Sequence, residues 1–211
     1  MSENNTIDPK DAVIEELTDV IERRDNTPKG HVTRVKVAMK AYLEAVVASG
    51  LYKEQSSLWN IDQIVLSSLL HDIGKGEIDD MILRKPGKLD PVEYEVVKRH
   101  ALLGGEIIKE IQGKTGKSEF LDNAFTIAMY HHEKWDGTGY PKGLAGEEIP
   151  LLARLMSIID VYDALVSERP YKKPFTHDEA INIIKEAKGS SFAPALTDVF
   201  ISVADKLNLA N

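Results

Sequence analysis

Cysteine is absent from this chain. Any metal site must therefore be built from imidazole, carboxylate and solvent, a donor set that suits divalent iron, manganese or a similar ion better than a thiolate zinc site. Long apolar runs are also missing. None approaches the roughly 18 residues a membrane span needs, so no membrane is expected although 43% of residues are hydrophobic. Positive charge is in deficit: 26 Lys and Arg against 34 Asp and Glu leave a net charge of −8. That balance gives no general attraction to a DNA or RNA polymer or to an anionic membrane. An anionic substrate would need a local device. The opening residues MSENNTIDPKD lack the basic and apolar regions of a secretory signal, so a cytoplasmic location is expected. No polar, Gly-rich or Pro-rich linker divides the 211 residues, as in one large domain.

Strand alternation is missing too, and helical periodicity replaces it. Apolar residues return every three or four positions in Ala12 to Ile21, His31 to Val47, Ile61 to Leu70, Val92 to Ile111, Leu121 to Tyr130, Leu151 to Val166, Ala180 to Ala187 and Ala195 to Leu207. Glycines and prolines separate these segments. Asp90-Pro91-Val92-Glu93 and Thr176-His177-Asp178-Glu179 each place a capping residue three before a Glu, which predicts helix starts. The expected fold class is all-α.

Five of the six histidines interrupt or end these apolar patterns. His71-Asp72 ends one helix, and adjacent residues there can reach two neighbouring ions with a carboxylate between them. His131-His132 ends another; two buried imidazoles side by side would repel if protonated, and coordination keeps both neutral. His100 lies within a third helix, before a Gly104-Gly105 pair that allows close approach of another helix. His31 opens a fourth. Asp160 breaks an apolar run, and buried carboxylates are rare unless paired or metal-bound. Alone, each has an ordinary reading as a cap, a surface side chain or a hydrogen-bonded core histidine. Together they point to a metal hydrolase.

The stretch His71-Asp72-Ile73-Gly74-Lys75, the segment HHEKWDGTGYP and the later Asp160 to Lys172 resemble the HD-GYP family, a branch of the HD-domain metal phosphohydrolases. The likeness runs from about Gly30 to about Phe200. It implies an HD-type helical bundle with a His/Asp cluster at its centre, a helical extension over residues 1–28 and the HD-GYP domain over residues 29–211. It implies hydrolysis of cyclic di-GMP, to pGpG and in part to GMP, by a hydroxide bridging two ions. By resemblance, His31, His71, Asp72, His100, His131, His132 and Asp160 are the metal ligands, with Asp72 bridging. Lys75 resembles the lysine at the scissile phosphate. Gly139, Tyr140 and Pro141 form the signature loop, with tyrosine lining the nucleotide pocket. Arg169 and Lys172 resemble cationic contacts to substrate phosphate. Asp163, one turn after Asp160, is expected to orient a ligand.

Two divalent ions less Asp72, Asp160 and a hydroxide leave a net charge of about +1, to which Lys75, Arg169 and Lys172 would add, so an acidic chain can still hold an anion. In one place the chain departs from three-metal relatives: Thr27 stands four before His31, where they carry a glutamate. A two-metal site is expected, iron or manganese, with no carboxylate there for a third ion. Gly76 to Asp79 also replaces a more apolar run. Two rival functions are a weakly catalytic cyclic-dinucleotide effector that acts through protein partners and an HD hydrolase of another nucleotide. A regulatory protein or a second copy of the chain would be its partners.

Overall fold

The computed structural model describes residues 8–25, 30–168 and 173–207. Ten α-helices and three short 3-10 turns make up the described secondary structure, with no strand among the described residues beyond two isolated bridges. The expectation of an all-α fold is met. None of the described helices is long and apolar enough to cross a membrane.

Local chemistry fixes the helix ends. Asp8 caps α1 (Pro9–Glu22) by accepting from Lys10 N, with Pro9 at the first turn. Two left-handed glycines, Gly30 and Gly50, bracket α2 (His31–Ser49). A single turn, α3 (Lys53–Ser56), leads to α4 (Ile61–Ser68), which Asn60 caps. The chain then tightens into a 3-10 turn over Ile73–Glu77 and a second single turn, α5 (Asp80–Leu83). The Asp90–Glu93 capping box starts α6 (Pro91–Thr115), and Ser118 caps α7 (Glu119–Tyr130). After a loop comes α8 (Leu151–Val166), then α9 (His177–Glu186) with the Thr176–Glu179 box, then α10 (Pro194–Ala204). All eight periodic segments are helices. The two single turns escaped prediction because four residues are too few to display a period of 3.6.

The centre of the bundle is α8, whose residues from Leu151 to Ile159 are all buried. Around it pack α2, α7, α9 and α10. Met39, Leu43, Leu155 and Met156 are fully shielded from solvent, and each such side chain contributes about 1.5–3 kcal/mol by burial. Tyr42 is also fully buried and its hydroxyl donates to Leu196 O at 2.7 Å, so the phenol costs no unpaired polar group.

Small residues let α6 approach its neighbours. A side chain on Gly105 would run into Met129 and Phe125 of α7, as the Gly104-Gly105 pair predicted. A Cβ on Gly74 would collide with His100 O and Gly104 N, so only glycine lets the turn after His71-Asp72 lie against α6. That contact brings two of the candidate motifs together.

Candidate metal centre

Five places in the fold deliver the candidate donors. His71 and Asp72 follow α4, His100 sits inside α6, His131 and His132 follow α7, His31 opens α2, and Asp160 lies on α8. Their donor atoms fall into two groups, Asp72 with His100, His131 and His132, and His31 with His71 and Asp160; within each group they lie within 4.8 Å of one another. Residues spread over 130 positions of sequence thus converge.

Four of the imidazoles are oriented by their Nδ1 atoms. His71 Nδ1 donates to Ser68 O at 2.9 Å, His100 Nδ1 to Val97 O at 2.7 Å, and His131 Nδ1 to Ile127 O and Ala128 O, both at 3.1 Å. His31 Nδ1 lies 2.6 Å from Asp163 Oδ2. A proton held at Nδ1 leaves Nε2 as a lone-pair donor, the arrangement that metal-binding histidines use. The Nε2 atoms then crowd together: His100 to His132 is 3.1 Å and His100 to His131 is 3.5 Å. Burial, followed by the neighbouring imidazoles, pushes His131 down to about 4 and His132 well below its usual value. Both are neutral at pH 7, as adjacent ligands must be.

Asp72 stands between the two groups. Its Oδ1 faces His100 Nε2 at 3.2 Å and His131 Nε2 at 3.7 Å, while its Oδ2 faces His71 Nε2 at 3.4 Å and Lys75 Nζ at 2.6 Å. Burial opposes its charge, but Lys75 and His71 outweigh burial and hold the carboxyl well below the usual range. Lys75 also pairs with Asp25; against the cost of burial, Asp72 and Asp25 keep the ammonium firmly charged. Burial likewise opposes protonation of His71, yet Asp72 lifts it to about 9. Even so, Asp72 Oδ1 and His71 Nε2 are buried without a hydrogen-bond partner. Buried, unpartnered imidazole and carboxylate atoms converging in this way fit a divalent cation, which would displace the His71 proton.

The surrounding residues brace these donors. Arg34 Nε meets Asp163 Oδ1 at 2.5 Å, and Ser167 Oγ accepts from Arg34 at 2.8 Å. Burial is outweighed there by the bonds from His31 and Arg34, which hold Asp163 near 2. Glu133, buried just after the paired histidines, accepts from Lys142 N at 2.7 Å and Leu144 N at 3.0 Å. It pins the loop that carries Gly139, Tyr140 and Pro141. The Tyr140 ring lies over His132, with centroids 4.8 Å apart and planes at 31°. A Cβ on Gly139 would strike Lys134 N and Glu133, so this loop closes against the histidine segment only with glycine there. Lys98 Nζ stands 5.5 Å from the Tyr140 ring centre.

The structure therefore brings together all seven residues expected to be ligands, puts Lys75 beside Asp72 and Tyr140 at the edge, and sets Asp163 behind His31. Arg169, Lys172 and Thr27 lie outside the described residues. Sequence reading passed over Glu22, Asp25, Arg34 and Glu133. Glu133 was the most accessible of these, as a carboxylate inside the densest motif; Glu22 gave no signal beyond ending an amphipathic helix.

The HD domain family model matches residues 15–196. A cyclic di-GMP phosphodiesterase of Vibrio cholerae serotype O1 is 42% identical over 205 residues, covering 97% of this chain and 42% of the relative. A 3'3'-cGAMP-specific phosphodiesterase 2 of the same organism is 37% identical, covering 90% of this chain and 34% of the relative. The chain spans less than half the length of these curated relatives. The crystal structure of a cyclic GMP-AMP-specific phosphodiesterase from V. cholerae has the same fold, with a TM-score of 0.58 at 18% identity over 92% of this chain and 48% of that one.

Proposed function

We propose a reaction on the premise that the chain belongs to the HD domain family, in its HD-GYP branch: metal-dependent hydrolysis of cyclic di-GMP in the cytoplasm. The observation that carries this reading is the pair of adjacent donor groups with Asp72 between them, its Oδ1 turned to His100 and its Oδ2 to His71. Such a pair suits two divalent ions, with Asp72 bridging, His100, His131 and His132 on one side and His31, His71 and Asp160 on the other. Their donor chemistry fits iron or manganese.

Divalent ions bound there supply charge to offset the phosphodiester and turn water into a nucleophile near neutral pH. The chain's own residues supply the rest. Backbone carbonyls and Asp163 orient four of the five imidazoles through Nδ1, so little reorganisation is needed there when the substrate arrives. Lys75, cationic beside Asp72, meets negative charge on the phosphate. The Tyr140 ring, held over His132 by the Glu133-braced loop, offers a flat face to a nucleobase. By resemblance to the family, Arg169 and Lys172 are assigned as cationic contacts to substrate phosphate.

Purified protein loaded with Mn2+ or Fe2+ and incubated with cyclic di-GMP is expected to release pGpG, with GMP as a further product, and to lose this activity on chelation. Metal-loaded protein that binds cyclic di-GMP but leaves it intact sinks the proposal and favours the effector reading. A second enzymatic reading, cleavage of a mixed cyclic dinucleotide, is favoured by the relative named for 3'3'-cGAMP. Parallel rates on the two substrates separate them.

A further inference from the structure

α1 ends by turning an acidic side chain inward. Glu22 is 4% exposed, and its Oε1 is buried with no hydrogen-bond partner among the described residues. His31 Nε2 stands 3.6 Å from that oxygen. Asp163 occupies the other nitrogen of His31, so Nε2 is the atom left to face Glu22, and it is the lone-pair donor in the neutral ring. The His71 ring lies 5.4 Å from that of His31, and His71 Nε2 is likewise buried and unpartnered.

A packing role explains little of this. The gap beside Glu22 is lined chiefly by Ile14, Leu17, Ile21, Leu69, Leu70 and Ile73, where an apolar side chain would serve better than a carboxylate without a donor. Nor does Glu22 anchor α1. Arg24 fastens its end to Gly76 O, Ile78 O and Asp80, and Glu15 pairs with Lys36. A buried carboxylate oxygen with no hydrogen-bond partner, facing the Nε2 atoms of two imidazoles, sits where a shared cation would satisfy all three.

We infer that Glu22 is a carboxylate ligand of the ion held by His31, His71 and Asp160, supplied from α1 across the turn that separates it from α2. The assignment rests on the metal-centre reading above. Besides the bridging Asp72, it gives that side of the centre two carboxylates and two imidazoles, a harder donor set than the three imidazoles of His100, His131 and His132. The two sides should therefore differ in affinity, with the harder side gaining more for Mn2+.

The test is Mn2+ binding to the metal-stripped full chain, followed by calorimetry and by the spin signal of free Mn2+. Wild type, Glu22→Gln, Glu22→Asp, His31→Ala and His132→Ala are compared, with thermal unfolding of each metal-free protein. Glu22→Gln should weaken one class of site at least about ten-fold and spare the other. His31→Ala should weaken that same class, and His132→Ala the other. Glu22→Asp should recover part of the loss. The isosteric amide should not lower the unfolding temperature of the metal-free protein. A Glu22→Gln protein with both wild-type affinities, or one whose loss of metal follows a loss of fold, overturns the assignment of Glu22 alone. Wild-type protein that takes up no Mn2+ overturns the centre, and this inference with it.

Discussion

Asp163 Oδ2 lies 2.6 Å from His31 Nδ1, while the other oxygen of the same carboxylate meets Arg34 Nε at 2.5 Å. One buried aspartate thus aims an imidazole and is itself fixed by a guanidinium. The two bonds hold its pKa near 2, against 3.8 in an unfolded chain. A depressed carboxyl stabilises the fold above the unfolded value and loses that contribution as pH falls through the folded one. The window is therefore pH 4 to 2, and a shift of that size corresponds to about 2 kcal/mol. In metal-free protein, Asp163→Asn should be less stable than wild type by about 2 kcal/mol above pH 4, and the gap should close near pH 2. Urea unfolding across that range measures it; a gap independent of pH would contradict the account.

Asp72→Asn tests the shared carboxylate. The amide keeps the shape but offers one oxygen, so ion binding should weaken in both groups together. Turnover should fall at least about a hundred-fold, equivalent to about 2.7 kcal/mol. His71→Ala should reduce turnover comparably. Elemental analysis after gel filtration checks the first claim and steady-state kinetics the second; metal content unchanged in Asp72→Asn would count against a bridging role.

Gly74→Ala puts a methyl group into the backbone of α6. Overpacking of this kind costs about 1–3 kcal/mol, and relief requires the turn to withdraw from α6, which separates His71 and Asp72 from His100. Lower stability should accompany lower metal affinity. Gly76→Ala is the matched control, since a Cβ there meets no atom within 4 Å.

Glu133→Ala removes the acceptor for Lys142 N and Leu144 N. Bonds to a charged group are worth about 1.5–3 kcal/mol each, so the loop should loosen and Tyr140 lose its place over His132. KM for the dinucleotide should rise more than kcat falls, with metal content unchanged. A fall in kcat alone would assign Glu133 to the chemistry instead.

Much of this was legible in the sequence because the fold is built from periods and caps. The Asp90 and Thr176 capping boxes stand where predicted, and so do all eight amphipathic segments. The expected ligands were legible because a His or Asp inside an apolar pattern has few other uses. Glu22, Arg34 and Asp25 were not, since a charged residue at a helix end or on a polar face looks like a solvated one. Only tertiary packing reveals that α1 lies against the turn after His71. Thr27 shows the limit of position-by-position reading: the residue four before His31 lacks a carboxylate, while one nine before reaches the same imidazole through space.

Arg24 gives that docking a mechanical meaning. Its guanidinium grips two carbonyls and a carboxylate on the stretch Gly76 to Asp80, and the next residue, Asp25, holds Lys75. These bonds tie the end of α1 to the lysine turn, so the seating of one is coupled to the seating of the other. Any contact that favours the seated helix favours the seated lysine by an equal free energy, and occupancy of the centre must press the helix home to the same degree.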